Sequence, residues 1–123
     1  MANPNIINAT TIQGVNSATS LTTTSATSIL NNAASSGKVC KLDSVIIANT
    51  TVSAANITIN LYSAASLGGT AYPICSTVSV PANASLIVID KTTCIYVTEN
   101  QSVGATAGTA NALIVTASWE EIS

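Results

Sequence analysis

Between Asn56 and Tyr62 the side chains alternate: Ile57, Ile59 and Leu61 are apolar, while Asn56, Thr58 and Asn60 are polar. A period of two is the geometry of a strand with one covered face and one solvated face, and it excludes an amphipathic helix. No window shows helical periodicity with caps. Short runs of β-formers recur instead, separated by turn signals. Val39 to Asn49, with Val45, Ile46 and Ile47 consecutive, reads as a central strand covered on both sides. Tyr72 to Val80 alternates again, and Pro73 predicts that this strand runs along an edge or starts after the proline. At Pro81-Ala82-Asn83 the proline fixes φ and the asparagine tolerates a left-handed conformation, so the sequence predicts a hairpin that returns as Leu86 to Ile89. Strands follow at Ile95 to Thr98, more weakly at Gln101 to Ala107, and at Leu113 to Trp119, where Leu113, Val115, Ala117 and Trp119 share a face. The expected fold is all-β, an antiparallel β-sandwich or jelly-roll-like barrel over residues 27–123.

Residues 1–26 read differently. They are Asn, Thr, Ser and Ala with isolated Ile6, Ile7, Ile12, Val15 and Leu21, too sparse for a core face. The expectation is an extended polar arm, with one edge strand at most, separable from the domain. Ile6, Ile7, Ile12 and Leu21 are then the candidate protein-interface residues, to be covered by a neighbouring subunit.

A chain of 123 residues fits one domain without a staple. Only 7% of its residues are charged, against about a quarter in ordinary domains, so its surface must consist of neutral hydroxyls and amides. Three lysines, no arginine and a net charge of −2 supply no basic stripe for phosphates, which argues against a nucleic-acid partner. No apolar run is long enough for a spanning helix, so no membrane partner is expected. The opening MANPNIINATT has neither a basic nor an apolar signal region, and an unprocessed chain is expected.

No catalytic, cofactor-binding or metal-binding residue is assigned. With no His there is no Ser or Cys triad and no zinc set short of borrowed carboxylates. Asp43 and Asp90 are a formal pair for glycoside chemistry, yet aromatic platforms for a sugar are limited to Trp119 and three tyrosines. A Ser–Lys dyad through Lys38, Lys41 or Lys91 is expected by chance in so Ser-rich a text. Asn8, Asn49, Asn56, Asn83 and Asn100 head N-x-[ST] sequons, whose density follows from the same composition. Cys40, Cys75 and Cys94 match no metal spacing and read as buried free thiols, fitting assembly in a reducing cytoplasm. A Cys75–Cys94 bridge is the alternative, because sequence does not place their Cβ atoms.

Four motifs in order, KVCKLDSVIIANTT, ANITINLY, VPANASLIVIDKTT and LIVTASWEEIS, give the chain from Lys38 to Ser123 its resemblance to small virion proteins of tailed bacteriophages, cyanophages among them. The resemblance implies a β-sandwich particle protein without enzymatic activity, located in the virion. Its partners would be the major capsid protein or other virion proteins, together with copies of itself. A capsid decoration or cement protein on the outside of the head is the leading expectation, as a homotrimer that hides its edge strands. A neck, tail or fibre-associated component is the alternative. From a different class, a carbohydrate-binding adhesive β-module rests on the polar face and Trp119.

Overall fold

The computed structural model describes residues 4–123; Met1 to Asn3, the first positions of the expected arm, lie outside the described residues. A short 3₁₀ turn, Ile6–Asn8, precedes β1 (Ile12–Ser20), β2 (Thr27–Asn32), β3 (Val39–Asn49), β4 (Ala55–Ala64) and β5 (Gly68–Val80). Then come β6 (Ser85–Ile89), β7 (Ile95–Val97), β8 (Gln101–Ala107) and β9 (Leu113–Ile122). All pairings are antiparallel. One sheet runs β1-β9-β3, with β6 and β7 lying end to end along the far side of β3; the other runs β2-β8-β4-β5. The links β1–β2, β3–β4, β5–β6 and β8–β9 each cross from one sheet to the other. With β6 and β7 counted as one broken edge, this is the wiring of an eight-stranded jelly roll. The all-β sandwich read from the sequence is therefore present, in its jelly-roll form.

Alternation builds the core. Leu42, Val45 and Ile47 of β3 and Val115, Ala117 and Trp119 of β9 point inward. They meet Ile57 and Ile59 of β4 and Val103, Ala105 and Ala107 of β8, all buried in one cluster. Two buried asparagines close the ends of strands. Asn49, at the end of β3, donates through Nδ2 to Ser53 O (2.8 Å) and Val80 O (3.0 Å), tying two of the crossings together. Asn32, at the end of β2, donates in the same way to Lys38 O and Val97 O, both at 3.0 Å. Each fills carbonyl sites that would otherwise be desolvated without a partner.

Three expectations need correction. The Pro81–Ala84 break is not a hairpin, because β5 and β6 belong to different sheets. Asn83 does take a positive φ of 53°, but its N–H bonds to Thr51 O (3.0 Å), so the chain turns into a crossing laid against the β3–β4 link. The run Val45-Ile46-Ile47 is central but covered on one face only, since alternation turns Ile46 outward. Finally, the described part of the expected arm is not extended away from the domain. Ile12 to Ser20 pairs with β9 at all nine positions, and Leu21 is fully buried, its N–H on Leu113 O and its C=O on Asn111 N, both at 2.9 Å. Backbone pairing supplies the attachment that the sparse apolar side chains alone do not. The expectation of an edge strand at Pro73 agrees with the structure, where β5 closes the second sheet.

The turn between β4 and β5 spans Ala65 to Leu67, is closed by the Gly68 N–H on Ala65 O at 3.1 Å, and has Ser66 and Leu67 at φ of 58° and 59°. Three side chains hold its backbone: Asn100 and Asn31 accept from the N–H groups of Ala65 and Ser66, and Ser102 Oγ accepts from that of Leu67 at 2.9 Å. Gly104 lies beneath it. A Cβ there would meet Leu67 Cδ2 at 2.7 Å and Tyr62 Cε2 at 3.0 Å, so the missing side chain is what lets the tip lie down on the sheet.

Candidate functional site

The register maps the solvent face of the β1-β9-β3 sheet row by row. Starting at the end where the chain leaves β9, the rows are Ile12–Ile122–Val39, in which Ile122 and Val39 are themselves buried, then Gly14–Glu120–Lys41–Tyr96, and Asn16–Ser118–Ser44. Beyond them lie Ala18–Thr116–Ile46–Ile87 and Ser20–Ile114–Ala48–Ser85. The last two rows carry no charge and expose Ile87 at 62%. Between the second and third rows, β3 bulges at Asp43, which has no partner on β9. Gly14 opposite presents no side chain, and an open cleft of about 330 Å³ results, with Asn16, Asp43, Ser118 and Glu120 at its polar walls.

Charge is segregated along the strands. Lys41, Asp43, Glu120 and Glu121 lie on β3 and β9 at or below the Asn16 row, and Lys38 precedes β3 at the same end. Asp90 and Lys91 lie in the β6–β7 link, whose flanking residues Ile89 and Ile95 pair with Val45 and Leu42. Glu99 lies in the β7–β8 turn. These are all the charged residues of the chain. The four inter-sheet crossings at the opposite end, residues 21–26, 50–54, 81–84 and 108–112, are neutral, and Val52 there is 87% exposed.

The ionisable groups serve local structure. Lys38 Nζ donates to Glu121 Oε1 at 2.8 Å, and Trp119 Nε1 donates to Glu121 Oε2 at 3.3 Å. The bond from Lys38 holds the Glu121 carboxyl below its usual range and raises the lysine in return. Asp90 is lowered by the Thr92 hydroxyl and amide that it accepts, an Asx turn in the link. Asp43 lies 3.9 Å from Lys41 Nζ. Among the described residues no group of three or more His, Cys, Asp and Glu side chains is placed to hold a metal ion. All three cysteines are free, and Cys40 alone of them is buried. Burial first and Glu121 second push the Cys40 thiol up to about 11, and burial also raises Cys75, so both stay protonated and unreactive at neutral pH. No helix of the described residues is long and apolar enough to cross a membrane.

Of the candidate interface residues, Ile6 and Ile7 lie in the exposed 3₁₀ turn, with Ile7 at 92% exposure, and Ile12 opens β1 at 62%. Leu21 is withdrawn from the set, because its own core covers it. Ile46, Val52, Tyr72, Ile87 and Tyr96 are exposed apolar residues that the sequence reading did not select. Alternation signals Ile46 and Ile87 only once the register is known, since both stand inside continuous apolar runs. Trp119 is buried against the core and offers no exposed platform to a sugar ring.

No family model matches the chain, and no curated protein matches it. The resemblance to phage virion proteins therefore stands on its motifs alone. A solved structure of infectious bursal disease virus, Gx strain, is similar in backbone, with a TM-score of 0.40 at 10% identity over 89% of this chain and 33% of that one. This chain thus spans about a third of that chain's length.

Proposed function

We propose that this protein is a non-enzymatic virion structural component, a decoration or cement protein bound to the outside of a phage head through the major capsid protein. The observation that carries the reading is the jelly-roll wiring, an architecture used for capsid and lectin domains, joined to a neutral loop end. Between these two uses the burial of Trp119 favours the particle, because a lectin reading loses the tryptophan it rested on and keeps only the exposed rings of Tyr72 and Tyr96. Neutral contacts avoid the desolvation cost of charge and depend little on salt. A subunit repeated over a shell is also held by several weak contacts at once, since later contacts become effectively intramolecular. Ile6, Ile7 and Ile12 are the residues proposed to meet the shell.

Copy number in purified particles tests the reading. Quantitative mass spectrometry of virions should give hundreds of copies per particle. A dozen or fewer would move the protein to the neck or tail, and absence from the particle would reject a virion role.

A further inference from the structure

A jelly roll has four open edges, and three of them in this chain are protected. The β5 edge carries Pro73 in mid-strand, shifts register against β4 three times, and has Thr77 at a φ of 51°. The β6–β7 edge is broken in two, with Asp90 and Lys91 at the break. The β2 edge is six residues long, bulges between Ser28 and Leu30, and has Asn31 holding the hairpin tip. Proline, bulges, breaks and charge are the devices that stop strand-to-strand association. β1 has none of them. Its nine residues, IQGVNSATS, run in unbroken register with β9, without proline, bulge or charge, and the described residues supply no further strand on its outer side.

We propose that β1 is an interface with a second copy of this chain, which adds its own β1 antiparallel across a twofold axis at Asn16 and joins the two sheets into one. Two observations select a second copy. First, full overlap of the strand with itself places Asn16 opposite Asn16, Gly14 opposite Ala18 and Ile12 opposite Ser20, so small or neutral side chains meet at every position. Second, the segregation of charge along the strands fits this direction of pairing. Antiparallel apposition brings the Gly14–Glu120–Lys41 row of one copy level with the uncharged Ala18–Thr116–Ile46 row of the other. Parallel apposition would set each charged end against its own like. A strand pairs antiparallel with its own copy only about a twofold axis, so this contact makes a dimer in place of the trimer expected from the sequence. The inference stands apart from the virion role, since it concerns only how the chain meets itself.

The test is solution mass by light scattering at micromolar concentration. The wild-type protein should scatter as two 12.3 kDa chains. Asn16→Lys, which sets two ammonium groups against each other at the axis, should halve the mass, whereas Ser76→Lys on the β5 edge should leave it unchanged. A monomeric wild type, an unchanged Asn16→Lys, or equal dissociation by Ser76→Lys each overturns the proposal. Register is checked independently of any folding loss in the lysine variant. In a Cys75→Ser/Cys94→Ser background, Asn16→Cys should be trapped as a covalent dimer by mild oxidation, and Ser20→Cys should not. The reverse result, or no trapping of either, counts against the Asn16 axis.

Discussion

Leu21 and Ile12 flank the same strand and meet opposite surroundings, one buried in the core and one open to solvent. Leu21→Ala should cost about 2–5 kcal/mol, the usual range for a buried leucine, while Ile12→Ala should stay within about 0.5 kcal/mol. Urea unfolding midpoints check the pair, and equal small losses would restore the detached arm. A similar contrast holds on β4. Ile59→Asp places a carboxylate among Ile57, Val103 and Ala105 and should unfold the domain. Thr58→Asp should be tolerated, because an aspartate oxygen can still accept the Thr77 N–H that Thr58 Oγ1 accepts at 2.9 Å. Circular dichroism of the two variants decides it, and equal unfolding would reverse the facing of β4. The titrating groups set the pH profile. The Glu121 contribution is present above the ordinary carboxylate value of about 4.3 and is lost as pH falls through the lowered folded value. Raised Cys40 contributes below the ordinary thiol value of about 8.5, and that contribution is lost as pH climbs towards about 11, with Cys75 acting in the same direction. With no His between them, Tm should be flat from about pH 5 to 8. Cys40→Ala should shallow the alkaline fall, and an unaltered alkaline limb would show that the thiol does not cause it.

At the scale of elements, the strands are legible and their wiring is not. Asn56 to Tyr62 declares its core face, because Ile57 and Ile59 are fully buried, whereas on the polar face Asn56 is exposed, Thr58 and Asn60 are half-buried and Tyr62 is covered. The Pro81–Ala84 segment declares a turn, but proline and asparagine say only that the chain bends. Whether it returns to β5 or crosses to β3 depends on the Asn83 N–H finding Thr51 O and the Asn49 amide finding Val80 O, contacts between distant parts of the sequence. β1 hides for a related reason. Its partner β9 is the last strand of the chain, and a nine-pair backbone ladder leaves no hydrophobic trace in IQGVNSATS. Exposure of apolar side chains was legible at the isolated Ile6, Ile7 and Ile12. It was illegible at Ile46 and Ile87, whose outward turn follows from the β3–β6 register.

For the molecule as a whole, the strand register keeps every charge away from the end where residues 21–26, 50–54, 81–84 and 108–112 cross between the sheets, a pattern that composition alone does not contain. One consequence is that the proposed binding to the shell should hardly change with salt, since exposed neutral groups are not screened. Another is a division of surfaces: the proposed β1 contact joins copies through the strand edge, leaving the exposed Ile6–Asn8 turn, the outward side chain of Ile12 and the neutral loop end as the surfaces proposed to meet the shell. Addition of purified protein to phage shells that lack it, followed by the temperature of genome release, tests the cement role most directly. A protein that binds the closed shell and not the opened one must raise that temperature by mass action. The expected result is saturable occupancy at many sites with a higher release temperature, both nearly independent of salt. Full occupancy with an unchanged release temperature, or no binding at all, would contradict it.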